Sequence, residues 1–330
     1  MRTPMCSLAA CFLGVSALSV PAAAQSTTFA PTEPSTSQTA EPEIIVPGER
    51  DAPSQRTQIL SYVRAVMSEE PAGQYAKFDD PICPSARGFN DELTAFIEQR
   101  ILTLAEAAEI DTAEPGCRTN VLLWIVEDGP TAIKELRVRG KGAFGRMRPY
   151  ERDRIERGEG PVYKWHLVNP LADDGNQNRA LEGAGLANDT GAEGSGPPLL
   201  NNEGYNVART NTKSRILQTV RQGISHAFIV IEKDAILGLS PIQIADFATV
   251  MALARVREGE SEDITVPSIR TLFANAIEDA EPTLTDWDLA LLTSLYKARG
   301  NLRASQQRAA MSRTFEKALA ENAAQAAPIR

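Results

Sequence analysis

Histidine is almost missing from these 330 residues: His166 and His226 are the only two. Zinc or general-base chemistry built on clustered imidazoles therefore has little to work with, and neither histidine lies in HExxH. GxSxG, GxxxxGK[ST] and CxxC are absent too, which excludes a nucleophile elbow, a phosphate-cradling loop and a redox pair as local motifs. No cofactor and no metal are expected. Beyond the first two dozen residues no run approaches the ~20 apolar positions of a membrane span, so no transmembrane segment is expected. Excess positive charge is lacking as well. With 34 Lys and Arg against 43 Asp and Glu, the chain carries −9, which argues against a nucleic-acid partner.

What is present begins with a three-part leader. Arg2 is followed by an apolar run from about Cys6 to Val20, then Pro21 and the small residues Ala22-Ala23-Ala24. This predicts a signal peptide over 1–24 and a periplasmic or secreted protein. A second reading takes Leu8-Ala9-Ala10-Cys11 as a lipobox that would acylate Cys11, but too little chain precedes it for an n-region and a full apolar core. Removing the leader leaves Cys83 and Cys117 as the only cysteines. In an oxidising compartment such a pair reads as a disulfide, closing a loop of about 35 residues worth roughly 3–4 kcal/mol by chain entropy.

Residues 25–56 are rich in Ser, Thr, Pro, Glu and Ala and read as a disordered spacer. Within it Glu43 to Arg50, EIIVPGER, is an apolar island resembling the TonB box of outer-membrane receptors, with Pro47 departing from the usual pattern. A single α/β (α+β) domain is expected over 57–320, with a long polar loop over 171–213 and a disordered tail over 321–330. Periodicity places helices at Thr57–Met67, Asp91–Glu109 behind Asn90, Ser214–Gln222, Ser268–Ile277 and Ala304–Ala320, with a further one behind Thr285. Strands are expected at Val121–Val126, Val162–Val168 and Ala227–Ile231.

The centre of the core is read from Ser225 to Val256. There an apolar strand leads through a short turn to a helix capped by Ser240, with Pro241 at its first position and Gln243 reaching back. Ile244, Phe247, Ala248 and Met251 mark its buried face, and Asp246 is expected on the solvent side. Lys134 to Arg157 is the most basic stretch, nine cations against four acids, and reads as a solvated helix pair. Its GKGAFG lacks the strand-then-helix setting of a dinucleotide site. Arg146, Arg148 and Arg152 are the anion-binding candidates, which would allow contact with an anionic membrane surface.

Two resemblances enter on particular segments. GLSPIQIADFA, LTDWDLALLTSLYKA and the cysteine segments ICPSARGF and GCRTNVLLWIVED resemble secreted proteins of unknown function from sphingomonads and related alphaproteobacteria. More distantly, the C-terminal half is similar to matrixin-type zincins, in which an HExxH helix precedes an SIM-like turn and an LSxxDxxxIxxLYG helix. On that resemblance Ala245 to Thr249 stands where HExxH belongs, Ser268-Ile269 at the turn, and Leu284 to Tyr296 on the last helix. Ala245 and Thr249 replace both ligand histidines and Asp246 the glutamate, which implies a zincin-like fold without its metal. The expected function is a non-catalytic envelope protein, a pseudoenzyme binding a peptide or protein partner in the old cleft. The alternative is a hydrolase using Asp246, His226 and Glu232, which requires the three to converge on one pocket.

Overall fold

The computed structural model of the chain describes residues 54–172 apart from 141, 146 and 159, then 217–218, 220–257, 266–274 and 279–326. The expected leader, the EIIVPGER segment, Arg146 and nearly all of the polar loop lie outside the described residues. The architecture is mixed α/β, with a largely parallel sheet and seven α-helices among the described residues.

Helix α1 (Gln55–Val66) starts where the Ser54 side chain accepts from Thr57 N–H, and it buries Ile59, Tyr62, Val63 and Val66. After the short β1 (Lys77–Phe78), strand β2 (Pro84–Arg87) leads into α2 (Asp91–Ala107), which Asn90 caps. Strand β3 (Val121–Val126) then pairs parallel with β2, so β2, α2 and β3 form one crossover unit. The Cys83–Cys117 disulfide spans its base, 6.1 Å between Cα atoms, and ties the entry of β2 to the approach of β3. Helices α3 (Gly129–Arg139) and α4 (Pro149–Glu156) follow, then strands β4 (Val162–Ala172) and β5 (Val220–Glu232).

Strand β5 is the hub. Strand β4 runs antiparallel along one edge of β5 from Val220 to Ile231, with a register shift between Leu167 and Val168. The other edge is shared end to end by β1, at Gly223–Ile224, and β3, at Ala227–Glu232, both parallel. Gly223 permits that junction, since a Cβ there would sit 2.3 Å from Leu171 Cδ1 and 2.8 Å from Asp79 Oδ2. Alternation sends Ala227, Ile229 and Ile231 into the main core and Phe228 and Val230 into a smaller cluster under α3. A strand buried on both faces reads as an unbroken apolar run, which makes this stretch legible from composition. In the smaller cluster Trp165 is stacked between Phe144 and Phe228, and its indole N–H donates to Ala143 C=O at 2.8 Å.

Helix α5 (Pro241–Leu253) opens with the expected capping box: Ser240 accepts from Gln243 N–H and Gln243 from Ser240 N–H. Helix α6 (Asp286–Lys297) is capped reciprocally by Thr285 and Asp288, and α7 (Ala304–Ala326) packs against α6 and α1. Among the described residues no helix is long and apolar enough to cross a membrane.

The structure corrects several expectations. Of the helix expected over Ser214–Gln222, the described residues form none: Leu217 and Gln218 are irregular and Val220–Gln222 open β5, because pairing with β4 overrides a local helical period. Strand β4 runs on to Ala172 through Pro170, which an edge strand tolerates. The Ser268–Ile277 helix is only a 3₁₀ turn, Ile269–Thr271, among the described residues, and α7 extends six residues past Ala320 to Ala326. Asp246 is not on a solvent face. Every residue from Gln243 to Leu253 is buried, so α5 is a central helix enclosed all round rather than an amphipathic one.

Candidate functional site

The three polar residues on the enclosed stretch of α5 each have an internal partner. Gln243 completes the cap and donates to Glu281 C=O at 3.0 Å, while Thr249 donates to Ala245 C=O at 2.7 Å. Asp246, with no exposed surface, accepts from Arg100 Nε (2.7 Å) and Nη2 (2.9 Å), from Thr283 Oγ1 (2.7 Å) and from Leu284 N–H (2.7 Å). It thus joins α2 to the segment that starts α6. Asp288 has a similar tethering role in the first turn of α6. It accepts from Ser268 Oγ (2.5 Å) and Ile269 N–H (2.9 Å), and burial pushes its pKa up against the hydrogen bonds that lower it.

These contacts decide whether zinc fits the residues at the HExxH-like position. Ala245 has no donor atom, the Thr249 hydroxyl is committed to a backbone carbonyl, and both Asp246 oxygens are already shared among four donors. The set does not fit a tetrahedral zinc. Among the described residues no group of three His, Cys, Asp or Glu stands close enough to hold a metal.

The candidate hydrolase set is dispersed. Glu232 ends β5, where it accepts from Gly129 N–H (3.1 Å) and Tyr163 O–H (3.3 Å). Gly129 is needed there, since a Cβ would lie 2.1 Å from the Tyr163 ring. His226 lies six positions earlier on the same extended strand, roughly 20 Å away at ~3.3 Å per residue. Its ring stacks on Phe228, its Nδ1 is buried without a hydrogen-bond partner, and burial, followed by Arg118, holds its pKa below the usual value. Asp246 is engaged by α2 and the start of α6. His166 is also structural: its Nε2 lies 2.9 Å from Ala252 C=O, and desolvation lowers its pKa from 6.5 to about 3.

The basic stretch forms the expected helix pair. Arg137 reaches Glu156 (2.9 Å) and Asp153 (3.5 Å) from α3 to α4, and Lys134 reaches Glu156 at 3.9 Å. Arg148 pairs with Glu151 and lies 4.8 Å from the Tyr150 ring centroid. Arg152 is half-buried on α4, with Nε lacking a hydrogen-bond partner. Arg148 and Arg152 do not line the cleft that opens beside α5 and β4.

That cleft, about 680 Å³, opens where the end of α4, the start of β4, the side of α5 and the 3₁₀ turn meet. Its apolar surface comes from Val162, Phe247, Met251 and Phe273, and its cations are Arg154, Arg157, Lys164, Arg257 and Arg270. Among the described lining residues there is no Asp or Glu. Lys164 leans over α5, within 3.6 Å of Met251 Sδ and 3.3 Å of Val256 C=O, and Arg257 Nε donates to Met67 C=O. The volume falls in the range of ligand-binding sites.

Sequence reasoning missed Arg100 and most of the cleft cations. Arg100 had a signal: it interrupts the buried stripe Leu93, Ile97, Ile101, Leu104 of α2, and a cation there calls for a buried acid. Arg257 and Arg270 had none, since each is isolated in sequence. No family model, curated protein or solved structure matches the chain.

Proposed function

We propose that the chain is a non-catalytic, secreted protein of the cell envelope that binds a peptide or protein partner in the cleft beside α5 and β4. The observation that carries this reading is the contrast between Asp246 and its surroundings. The one carboxylate at the HExxH-like position is sealed in a bidentate ion pair with Arg100, while a concave, partly apolar cleft stands open a turn away at Phe247 and Met251. On this reading the zincin-like layout survives as scaffold: hydrogen bonds donated to Asp246 by Thr283 and Leu284, and to Asp288 by Ser268 and Ile269, hold together the three segments that carry the resemblance. The disulfide accords with an oxidising compartment. A hydrolase using Asp246, His226 and Glu232 has the separation of those groups against it.

The test selects binders from a displayed library of random dodecapeptides against the chain without its first 24 residues. Selected peptides should bind and remain intact by mass spectrometry. Ala274→Trp, at an exposed position lining the cleft, should abolish binding without unfolding the protein. Cleavage of bound peptides, suppressed by the same substitution, would overturn the non-catalytic reading. Selected peptides that ignore Ala274→Trp would overturn the location.

A further inference from the structure

We infer that the cleft selects an acidic, extended peptide and adds it as a new strand to the outer edge of β4; this rests on the binding reading above and names the class of partner. The sheet supplies the first observation. Strand β4 is paired with β5 along its whole length, and among the described residues no strand lies on its other side. The bond from Glu232 N–H to Pro161 C=O at 2.8 Å sets the phase of that pairing. Pro161 and, two residues on, Tyr163 turn their main-chain groups toward β5, so Val162, Lys164 and His166 turn theirs outward. An edge of this kind is where an extended peptide docks, with main-chain hydrogen bonds giving affinity and alternate side chains giving choice.

The second observation is where the cleft lies on the strand. Val162 packs against the main core and Tyr163 against the opposite cluster, yet both line the cleft. A space touched from both faces of a strand runs along its margin. Farther on, Pro170 lacks an N–H to offer, so the competent half of the edge is the one beside the cleft.

The third observation is charge. On a chain of net −9 the described lining residues carry cations from four separate segments and no acid. Arg270 belongs to this lining while its guanidinium also reaches the buried Tyr62 hydroxyl, which holds its positive charge at the cleft wall. The apolar floor of Phe247 and Met251 is recessed between these cations, which suits a side chain flanked by carboxylates better than a flat lipid surface. Among the described residues the exposed large apolar side chains, Phe96, Val138, Tyr150, Leu237 and Ile242, all lie outside the cleft.

Fluorescence anisotropy with two labelled octapeptides, one alternating Glu and Val and one alternating Lys and Val, tests this on the chain without its leader. The acidic peptide should bind at least ~10-fold more tightly, and Arg157→Gln or Arg270→Gln should each weaken it by about 10-fold, the loss of one charge-assisted hydrogen bond. Arg157 is exposed, so its variant keeps the test valid should Arg270→Gln disturb folding. Acidic peptides N-methylated at every second residue, in two sets one position out of phase, should differ: one binds like the parent and the other does not. Loss in both sets, or in neither, overturns strand addition. Equal binding of the acidic and basic peptides overturns the charge selection. Binding of phosphatidylglycerol vesicles through Arg157 and Arg270, with no acidic peptide bound, would assign the site to an anionic membrane surface instead. If library peptides bind in the Ala274-dependent way but are not acidic, this inference falls and the binding reading stands. If no peptide of any kind binds, both fall.

Discussion

Replacing Asp246 by Asn separates a scaffold role from a catalytic one. The carboxylate has no exposed surface and receives four hydrogen bonds, two from the Arg100 guanidinium, one from the Thr283 hydroxyl and one from Leu284 N–H. Asparagine preserves the shape but turns an NH₂ toward donors, so at least one of them loses its acceptor at a cost of about 1–3 kcal/mol. It also removes the charge that Arg100 was buried against, and breaking one partner of a buried pair costs about 3–5 kcal/mol. The Arg100 side chain is 29% exposed, so water recovers some of its solvation and the expected total is about 2–4 kcal/mol. In a domain of this size that lowers the melting temperature by roughly 4–16 °C. Urea denaturation with the disulfide intact should show a lower midpoint at unchanged slope. Arg100→Gln combined with Asp246→Asn should be less damaging than the sum of the two single changes by at least about 1 kcal/mol. Below the melting temperature, Asp246→Asn should leave peptide binding unaltered, because Asp246 does not line the cleft. A loss under about 0.5 kcal/mol, the scale of an ordinary surface change, would refute the buried-pair account.

Three further expectations follow from the fold. Alkylation without reduction should label no cysteine in the chain lacking its first 24 residues, and reduction should cost about 3–4 kcal/mol of stability by chain entropy; two labelled thiols in native protein would sink the assignment. Phe247, 3% exposed and edge-on to Phe273 at 4.7 Å, should cost roughly 3–5 kcal/mol on change to Ala, and a loss under about 1 kcal/mol would mean that the helix is not packed as described. The third concerns acid. Desolvation, with Arg255 and Lys164 adding repulsion against the bond to Ala252, keeps His166 neutral down to about pH 3, whereas an unfolded chain protonates it near 6.5. Between those values the unfolded state holds the extra proton, so stability falls as pH falls from 6.5, by at most about 1.4 kcal/mol per pH unit. His166→Gln should flatten that limb in matched denaturation series, and an unchanged slope would reject the cause.

How much of this was legible depended on whether the deciding partner was near in sequence. Ser240 with Gln243 and Thr285 with Asp288 are three residues apart, and both caps form as their spacing requires. Strand β3 and the core of β5 are apolar and β-branched because both faces are covered, so composition alone marked them. The helical pattern around Val220 failed for the opposite reason: its partner is β4, whose contribution a local window does not contain. Asp246 is the sharpest case. A lone acid on a helix is usually solvated, and what reverses that rule is an arginine 146 positions away. The cleft follows the same logic, since the legible basic run pointed to Arg146, Arg148 and Arg152, whereas the cavity collects Arg154, Arg157, Lys164, Arg257 and Arg270 from separate segments. Yet two hints were jointly readable. Arg100 interrupts the apolar stripe of α2, and Asp246 is the only charge on α5. Each is expensive to bury alone, and their mutual need is the reason to pair them. That pairing engages both oxygens of the α5 carboxylate, and among the described residues the charged groups lining the cleft beyond Phe247 and Met251 are cations. On the binding reading proposed above, a partner is to be sought by its negative charge.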